Sequence, residues 1–198
     1  ESNAKISLLY KELHHRVKNN LHMIFSLLQM QERRATVKKA AETLRVARLR
    51  IESIAVMHEE MMRQTYMVDF RDFIKRMIDI VKECFSYKNE IKANLKFNDV
   101  EIPEKQSFPL ALIINEWITN SIKHADTGGN PLAIYINFFD EGDNIKVEYW
   151  DNGIVDISKS PQAGFGSEII HLLTKQIGTL MVTDQSNPYY YAFLIPKN

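Results

Sequence analysis

One cysteine, Cys84, is all the 198-residue sequence has, so no disulfide can form within the chain and nothing supports a cysteine-based zinc site. Such a composition fits a reducing compartment, and a cytoplasmic location is expected. Neither sign of charge is in excess: 25 basic and 25 acidic residues give a formal net charge of zero. That balance argues against a nucleic-acid binder that works through a basic surface. No apolar run approaches the roughly 20 residues needed to cross a bilayer, so no membrane segment is expected. No secretory signal peptide is visible. The chain begins with Glu1 and is expected to be a fragment of a longer protein. Glycine and proline are missing altogether from residues 1–66.

What fills that first third is Leu, Met, Ala, Lys, Arg and Glu, a helical composition. Leu13, Val17, Leu21, Ile24 and Leu28 recur at the spacing of an amphipathic helix. A second run follows at Ala40, Leu44, Ala47, Ile51, Ile54 and Met61, after a polar break in "ERRATVKK". Residues 1–66 therefore read as a helical hairpin. Two helices alone bury too little apolar surface to be stable, whereas two hairpins make a four-helix bundle, so a homodimer through residues 1–66 is expected.

From Met67 onward the pattern mixes helices and strands. "DFRDFIKRMIDIVKECF" and "FPLALIINEWITNSIKHA" read as helices, the second opened by Pro109 near its first turn. "IKANLKFN" alternates like a strand. "LAIYINFFD" and "NIKVEYWD" form a hairpin about "EGDN". "GSEIIHLLTKQIG" is a helix with a glycine stop, and "LMVTDQS" with "YYYAFLIP" closes a second hairpin at Asn187-Pro188. The expected fold is a helical hairpin over 1–66 followed, over 67–198, by an α+β sandwich with helices on one face of a mostly antiparallel sheet.

The segment "ELHHRVKNNLHMIFSLLQMQ" holds His14, His15 and His22. At about 100° per residue, His14 lies about 60° from the centre of the apolar stripe and His15 about 160° away. His14 thus reads as a partly buried packing residue. His15 and His22 point outward, seven residues apart, which does not suit a metal pair at i, i+4. For His15 a plain surface histidine and a functional one both remain open on this helix alone.

In "ALIINEWITNSIKHA", Glu116, Asn120 and Lys123 share one helix face with Thr119. Asn is a poor choice inside a helix, because its amide competes for backbone hydrogen bonds. The stripe is either solvent-facing or one wall of a site. An Asn oxygen suits Mg²⁺, which commonly keeps waters and substrate phosphates as its other ligands, and a Lys suits phosphate. Asp151-Asn152-Gly153 follows a strand, and Gly164 and Gly166 precede a helix, where close backbone approach and the helix N-terminus favour an anion. Either segment alone is an ordinary turn signal.

In this order and spacing the residues resemble the two-component sensor histidine kinases, and within them the subgroup whose acceptor helix reads "HRVKNNL" (the HisKA_2 and HWE-like kinases). "RIESIAVMHEEM" is similar to the second hairpin helix, "NEWITNSIKHA" to the N box, "DNG" to the start of the G1 box and "GFGSEII" to the G2 box. The resemblance implies a dimerisation and phosphotransfer domain at 1–66 and an ATP-binding domain of the Bergerat (GHKL) fold at 67–198. It implies His15 as phosphoacceptor and Glu116 as the group that orients or deprotonates it. It implies Asn120 as the Mg²⁺ ligand, Lys123 and His124 at the phosphates, and Asp151 at the adenine amino group. Gly153, Gly164 and Gly166 would shape the ATP pocket. A response-regulator receiver domain is the implied partner. Asn19, one turn after His15, is placed where it could orient a water for dephosphorylation, a hypothesis from position alone.

The sequence departs from that pattern where Val155 replaces the second G1 glycine, and a β-branched residue does not readily take positive φ. The stretch from Asp151 to Gly164 is also short for a lid, and no F box is recognisable. The leading reading is an ATP-dependent protein-histidine kinase. A degenerate phosphotransfer protein that relays through His15 without ATP is the alternative, and a purely structural dimeric module is a third.

Overall fold

A computed structural model describes residues 2–63, 70–98, 100–154, 165–179, 182–184 and 187–197. Helices α1 (Ser2–Arg34) and α2 (Lys38–Arg63) fold back on each other through residues 35–37, at the polar break the sequence marks. Arg45 and Arg48 of α2 both donate to Glu32 of α1, at 2.8 and 3.1 Å, and close the hairpin beside its turn. Burial pushes the Glu32 carboxyl up, but the hydrogen bonds from the two guanidiniums outweigh it and hold the group below the usual glutamate value.

Helix α3 (Phe70–Cys84) follows, then strand β1 (Ile91–Phe97), helix α4 (Glu104–His124), the hairpin β2 (Leu132–Glu141) and β3 (Asn144–Asp151), helix α5 (Phe165–Ile177) and strands β4 (Val182–Asp184) and β5 (Asn187–Pro196). The strand order is β1-β2-β3-β5-β4. Only β1 and β2 run parallel, joined by the crossover through α4, and the other neighbours are antiparallel. The expected α+β class with a mostly antiparallel sheet is therefore present.

Period-two burial sets the sheet's inner face: Leu132, Ile134, Ile136 and Phe138 on β2, Ile145, Val147 and Tyr149 on β3, Phe193 and Ile195 on β5. These side chains join one core with Phe73 and Met77 of α3, Trp117 of α4 and Leu173 of α5. The same core takes in Leu49, Val56 and Met57 of α2, so the hairpin packs directly onto the sandwich through α3 and α4.

Two element boundaries differ from expectation. Helix α4 begins at Glu104 and holds Pro109 inside it, not near its first turn. The added turn is fixed at Pro103, whose carbonyl accepts from Gln106 N and Ser107 Oγ, and Gln106 Nε2 also donates to Pro196 O at 2.7 Å. Asn187 and Pro188 begin β5 rather than forming the turn, because Asn187 is already paired with Asp184. A proline is tolerated at a strand's start. The glycine stop of α5 is as expected: Gly178, at φ +83°, donates to Lys175 O while Thr179 donates to Thr174 O, a Schellman pair.

Candidate active site

His15 is exposed on α1, and so is His22 two turns on, as helix geometry requires. The side chains of Leu13 and His14 lie outside those described. Of the predicted apolar stripe, Val17, Leu21 and Leu28 are half-buried, while Ile24 is exposed. Met23, Leu27 and Met30 add a second apolar row on α1, with Met23 and Leu27 exposed by 59% and 53%. The helix thus carries more apolar surface than its partner α2 covers.

Helix α4 organises the rest. Its sheet-facing side carries Trp117, which stacks on Tyr191 and lies tilted against Tyr149, and one hydroxyl, Ser121. Ser121 Oγ donates to Asp151 Oδ2 and lies 2.6 Å from Tyr149 Oη. With its proton committed to Asp151, Ser121 accepts from the tyrosine. Gly153 N donates to Asp151 Oδ1 at 2.8 Å. Asp151 is therefore a buried carboxylate held by a hydroxyl and a backbone amide, with no cation in the set. Burial raises its pKa above the usual aspartate value, and the bonds from Ser121 and Gly153 only partly offset this.

The chain after Asp151 is stitched to the loop that follows α4. Asn152 accepts from Ala133 N and donates to Pro131 O, and Ile154 N donates to Asp126 O. A Cβ on Gly153 would lie 2.8 Å from Asp151 Oδ1 and 3.2 Å from Ala125 Cβ, so only glycine leaves this notch open.

Glu116 lies at the other end of the cluster, 2% exposed. A Cβ on Gly166, at the start of α5, would stand 2.9 Å from Glu116 Oε2. The fold thus brings the predicted Glu116 and Gly166 together across 50 positions of sequence. It also brings Arg50 of α2 to Glu116 in a two-pronged pair, Nε to Oε1 at 2.6 Å and Nη2 to Oε2 at 2.9 Å. Lys123 pairs with Glu42 of α2 at 2.5 Å and sits over the Phe85 ring at 5.7 Å. The Glu116–Asn120–Lys123 stripe is therefore not an open wall; α2 occupies its two charged ends. Asn120 is half-buried between them. His124 is exposed, and its imidazole is held below the ordinary histidine value by partial desolvation and the adjacent Lys123 ammonium. Gly164 and Val155 lie outside the described residues.

Among the described residues no group of three or more His, Cys, Asp or Glu could hold a metal ion. A Mg²⁺ ion that keeps waters and ligand phosphates needs only one or two protein oxygens, so a lone Asn120 is compatible with it. The missing side chains of Gly153 and Gly166 let the carboxylates of Asp151 and Glu116 lie close against the backbone.

Arg50, Glu42, Ser121 and Tyr149 were not legible as site residues. Ser121 had a faint signal, a lone hydroxyl on the apolar side of its helix. Arg50 had none, being one of many basic residues in α2.

Comparison with known proteins bears on all of this. The family HisKA_2, described as Histidine kinase, matches residues 12–85. The sensor histidine kinase PdtaS of Mycolicibacterium smegmatis is 32% identical over 116 residues, covering 58% of this chain and 23% of that protein. Over these spans the chain is similar to the sensor histidine kinases. Blue-light-activated histidine kinase 2 of Erythrobacter litoralis is 24% identical over 179 residues, covering 84% of this chain and 50% of that protein. The solved histidine kinase domain of the Erythrobacter litoralis EL346 blue-light activated histidine kinase superposes with a TM-score of 0.62 at 22% identity, covering 94% of this chain and 92% of that one. At that identity the likeness is one of fold. The chain spans about a quarter of PdtaS. Within the span matched to the kinase family lie His15, Glu42 and Arg50, while Glu116, Asp151 and the glycines lie beyond it. No helix among the described residues is long and apolar enough to cross a membrane.

Proposed function

We propose that the chain is the catalytic core of a sensor histidine kinase that phosphorylates His15 from ATP and passes the phosphoryl group to an aspartate of a receiver domain. The observation that carries this reading is Asp151: a buried carboxylate beside an obligatory glycine, held by Ser121 of the helix that also carries Glu116, Asn120 and Lys123.

The residues divide the work as follows. Asp151 accepts from the amino group of adenine. Gly153 and Gly166 leave room for the nucleotide, with Gly164 as a further member of that loop. Asn120 holds Mg²⁺, whose charge, when bound, offsets that of the phosphates. Lys123 and His124 contact phosphate oxygens. Glu116 orients the His15 imidazole and takes its proton. The imidazole nitrogen attacks the γ-phosphorus in line; an N–P bond forms, the bond to the ADP oxygen breaks, and ADP leaves. A receiver aspartate then takes the phosphoryl group from His15. The exposed row Met23, Leu27 and Met30 supports pairing of two copies through residues 1–66, with 67–198 as the ATP-binding domain.

The ion pairs on Glu116 and Lys123 favour one second reading, a phosphotransfer protein that relays through His15 without ATP. Incubation with γ-labelled ATP and Mg²⁺ separates the two. The kinase predicts acid-labile label that His15→Gln abolishes and His14→Gln retains. Label absent from the wild type, together with uptake from a phosphorylated receiver, would select the relay.

A further inference from the structure

We propose that the cavity bounded by α1, α2 and α3 is a binding site for a small organic cation, an ammonium on a short apolar body, with Glu52 as the residue that recognises its charge. The proposal stands on the hairpin and α3 alone and does not depend on the kinase reading.

The cavity measures about 190 Å³, the size of a fragment rather than of a drug-sized molecule. Each of its three helices contributes side chains one turn apart: Leu21 and Phe25 from α1, Ile51 and Ala55 from α2, Arg76 and Ile80 from α3. Apart from Arg76 this wall is apolar.

The charges around the cavity are unequally satisfied. Glu59 accepts from Lys18 at 2.8 Å and from Arg76 at 3.0 Å, and Arg76 also donates to Glu60. Two cations and two carboxylates thus close on one another and leave no net charge. Glu52 is different. It lines the same cavity, half-buried, and makes no hydrogen bond or ion pair among the described residues. Arg48, one turn before it, is committed to Glu32 at 3.1 Å and to Cys84 Sγ at 3.3 Å. His22 stands exposed at the cavity's edge on α1. Burial raises the Glu52 carboxyl above the ordinary glutamate value; Arg48 pulls it down, Glu83 of α3 adds to the rise and His22 opposes it.

The unsatisfied charge at the cavity is therefore negative, and apolar surface lies beside it. An anion is repelled by Glu52. A neutral apolar ligand leaves the carboxylate further desolvated and still unpaired, which costs free energy. An ammonium with an apolar body pairs with Glu52 and covers Leu21, Phe25 and Ile80 at once. The site lies on the helix of His15, seven residues on and about 10 Å along its axis. Its walls belong to the hairpin and to the first helix of the sandwich, so one ligand touches both.

The test is a titration of the full chain near neutral pH with 2-phenylethylammonium, read by amide chemical shifts. The uncharged isostere 2-phenylethanol and the anion 3-phenylpropionate are run beside it. The proposal predicts saturable shifts along α1, α2 and α3 with the ammonium, at least tenfold weaker binding of the alcohol and no binding of the carboxylate. Glu52→Gln, the same shape without the charge, should bind the ammonium at least tenfold more weakly, and Ala55→Phe, which fills the cavity, should not bind it. Equal binding of ammonium and alcohol overturns the proposal, because Glu52 then recognises nothing. Ammonium binding that survives Ala55→Phe lies elsewhere and also overturns it, as does the lack of saturable binding to the wild type. Should either variant misfold, His22→Gln, which removes the imidazole from the cavity's edge, decides the matter. Its affinity for the ammonium should fall on acidification with a midpoint above the ordinary glutamate value, and an affinity independent of pH overturns the proposal.

Discussion

Glu116 and Asp151 are both buried carboxylates tied to α4, and they are held in opposite ways. Glu116 is met by a full positive charge from another segment, in two short bonds to Arg50. Among the described residues, Asp151 is met by neutral donors, Ser121 and the Gly153 amide. A buried ion pair is strong only while both partners stay, since removing one leaves an uncompensated charge. A carboxylate held by fixed neutral dipoles keeps its place when other segments move. The same helix thus has one end clamped by a charge from α2 and one end held by fixed neutral dipoles.

The largest effect should come from the charge-paired end. Glu116→Gln keeps the side chain's shape and removes its capacity to take a proton, so autophosphorylation should fall by about 10²–10⁴-fold, while the thermal transition stays cooperative; initial rates and a melting curve check both. At the fixed end, Ser121→Ala strips partners from both Asp151 and Tyr149. Stability should fall by about 1–3 kcal/mol, the cost of buried polar groups left unpaired, as read in denaturant titration. The smallest effect is steric. Gly166→Ala would press a methyl against Glu116 Oε2 at 2.9 Å. Because Arg50 pins that oxygen, the strain should be about 1–3 kcal/mol in the wild-type background, and smaller when Arg50→Gln is added; a double-mutant cycle on stability measures the difference.

How much of this could be read from residues alone depends on distance along the chain. The hairpin was legible because apolar spacing and the absence of glycine and proline are local signals, and the outward turn of His15 followed from counting residues. The shared face of Glu116, Asn120 and Lys123 was legible from helical spacing, but its covering by Arg50 and Glu42 of α2 was not. The start of α4 was not, because Pro109 mimics a first turn and only the distant Pro196 carbonyl, bound by Gln106, shows why the helix reaches back further. Arg50 was not legible at all. It lies 66 positions from Glu116, in a helix rich in similar residues, and only the packing of α2 on α4 selects it. The same holds for Gly166, whose glycine was expected to face phosphate and whose observed neighbour is Glu116.

The central claim is that α4 and Asp151 form one nucleotide site, and a titration of Mg²⁺–ATP into wild type and Asp151→Asn tests it most directly. Asp151 has a raised folded pKa, so its contribution to stability is full below the unfolded value of about 3.9 and is lost as pH rises through the folded one. Removing its charge should therefore leave the melting temperature at neutral pH unchanged or higher. Nucleotide binding depends on the ionised form and runs the other way, weakening on acidification with a midpoint above the ordinary aspartate value. The account predicts saturable binding to the wild type, at least tenfold weaker in Asp151→Asn with no loss of stability. Equal binding by both proteins, or none by the wild type, would contradict it.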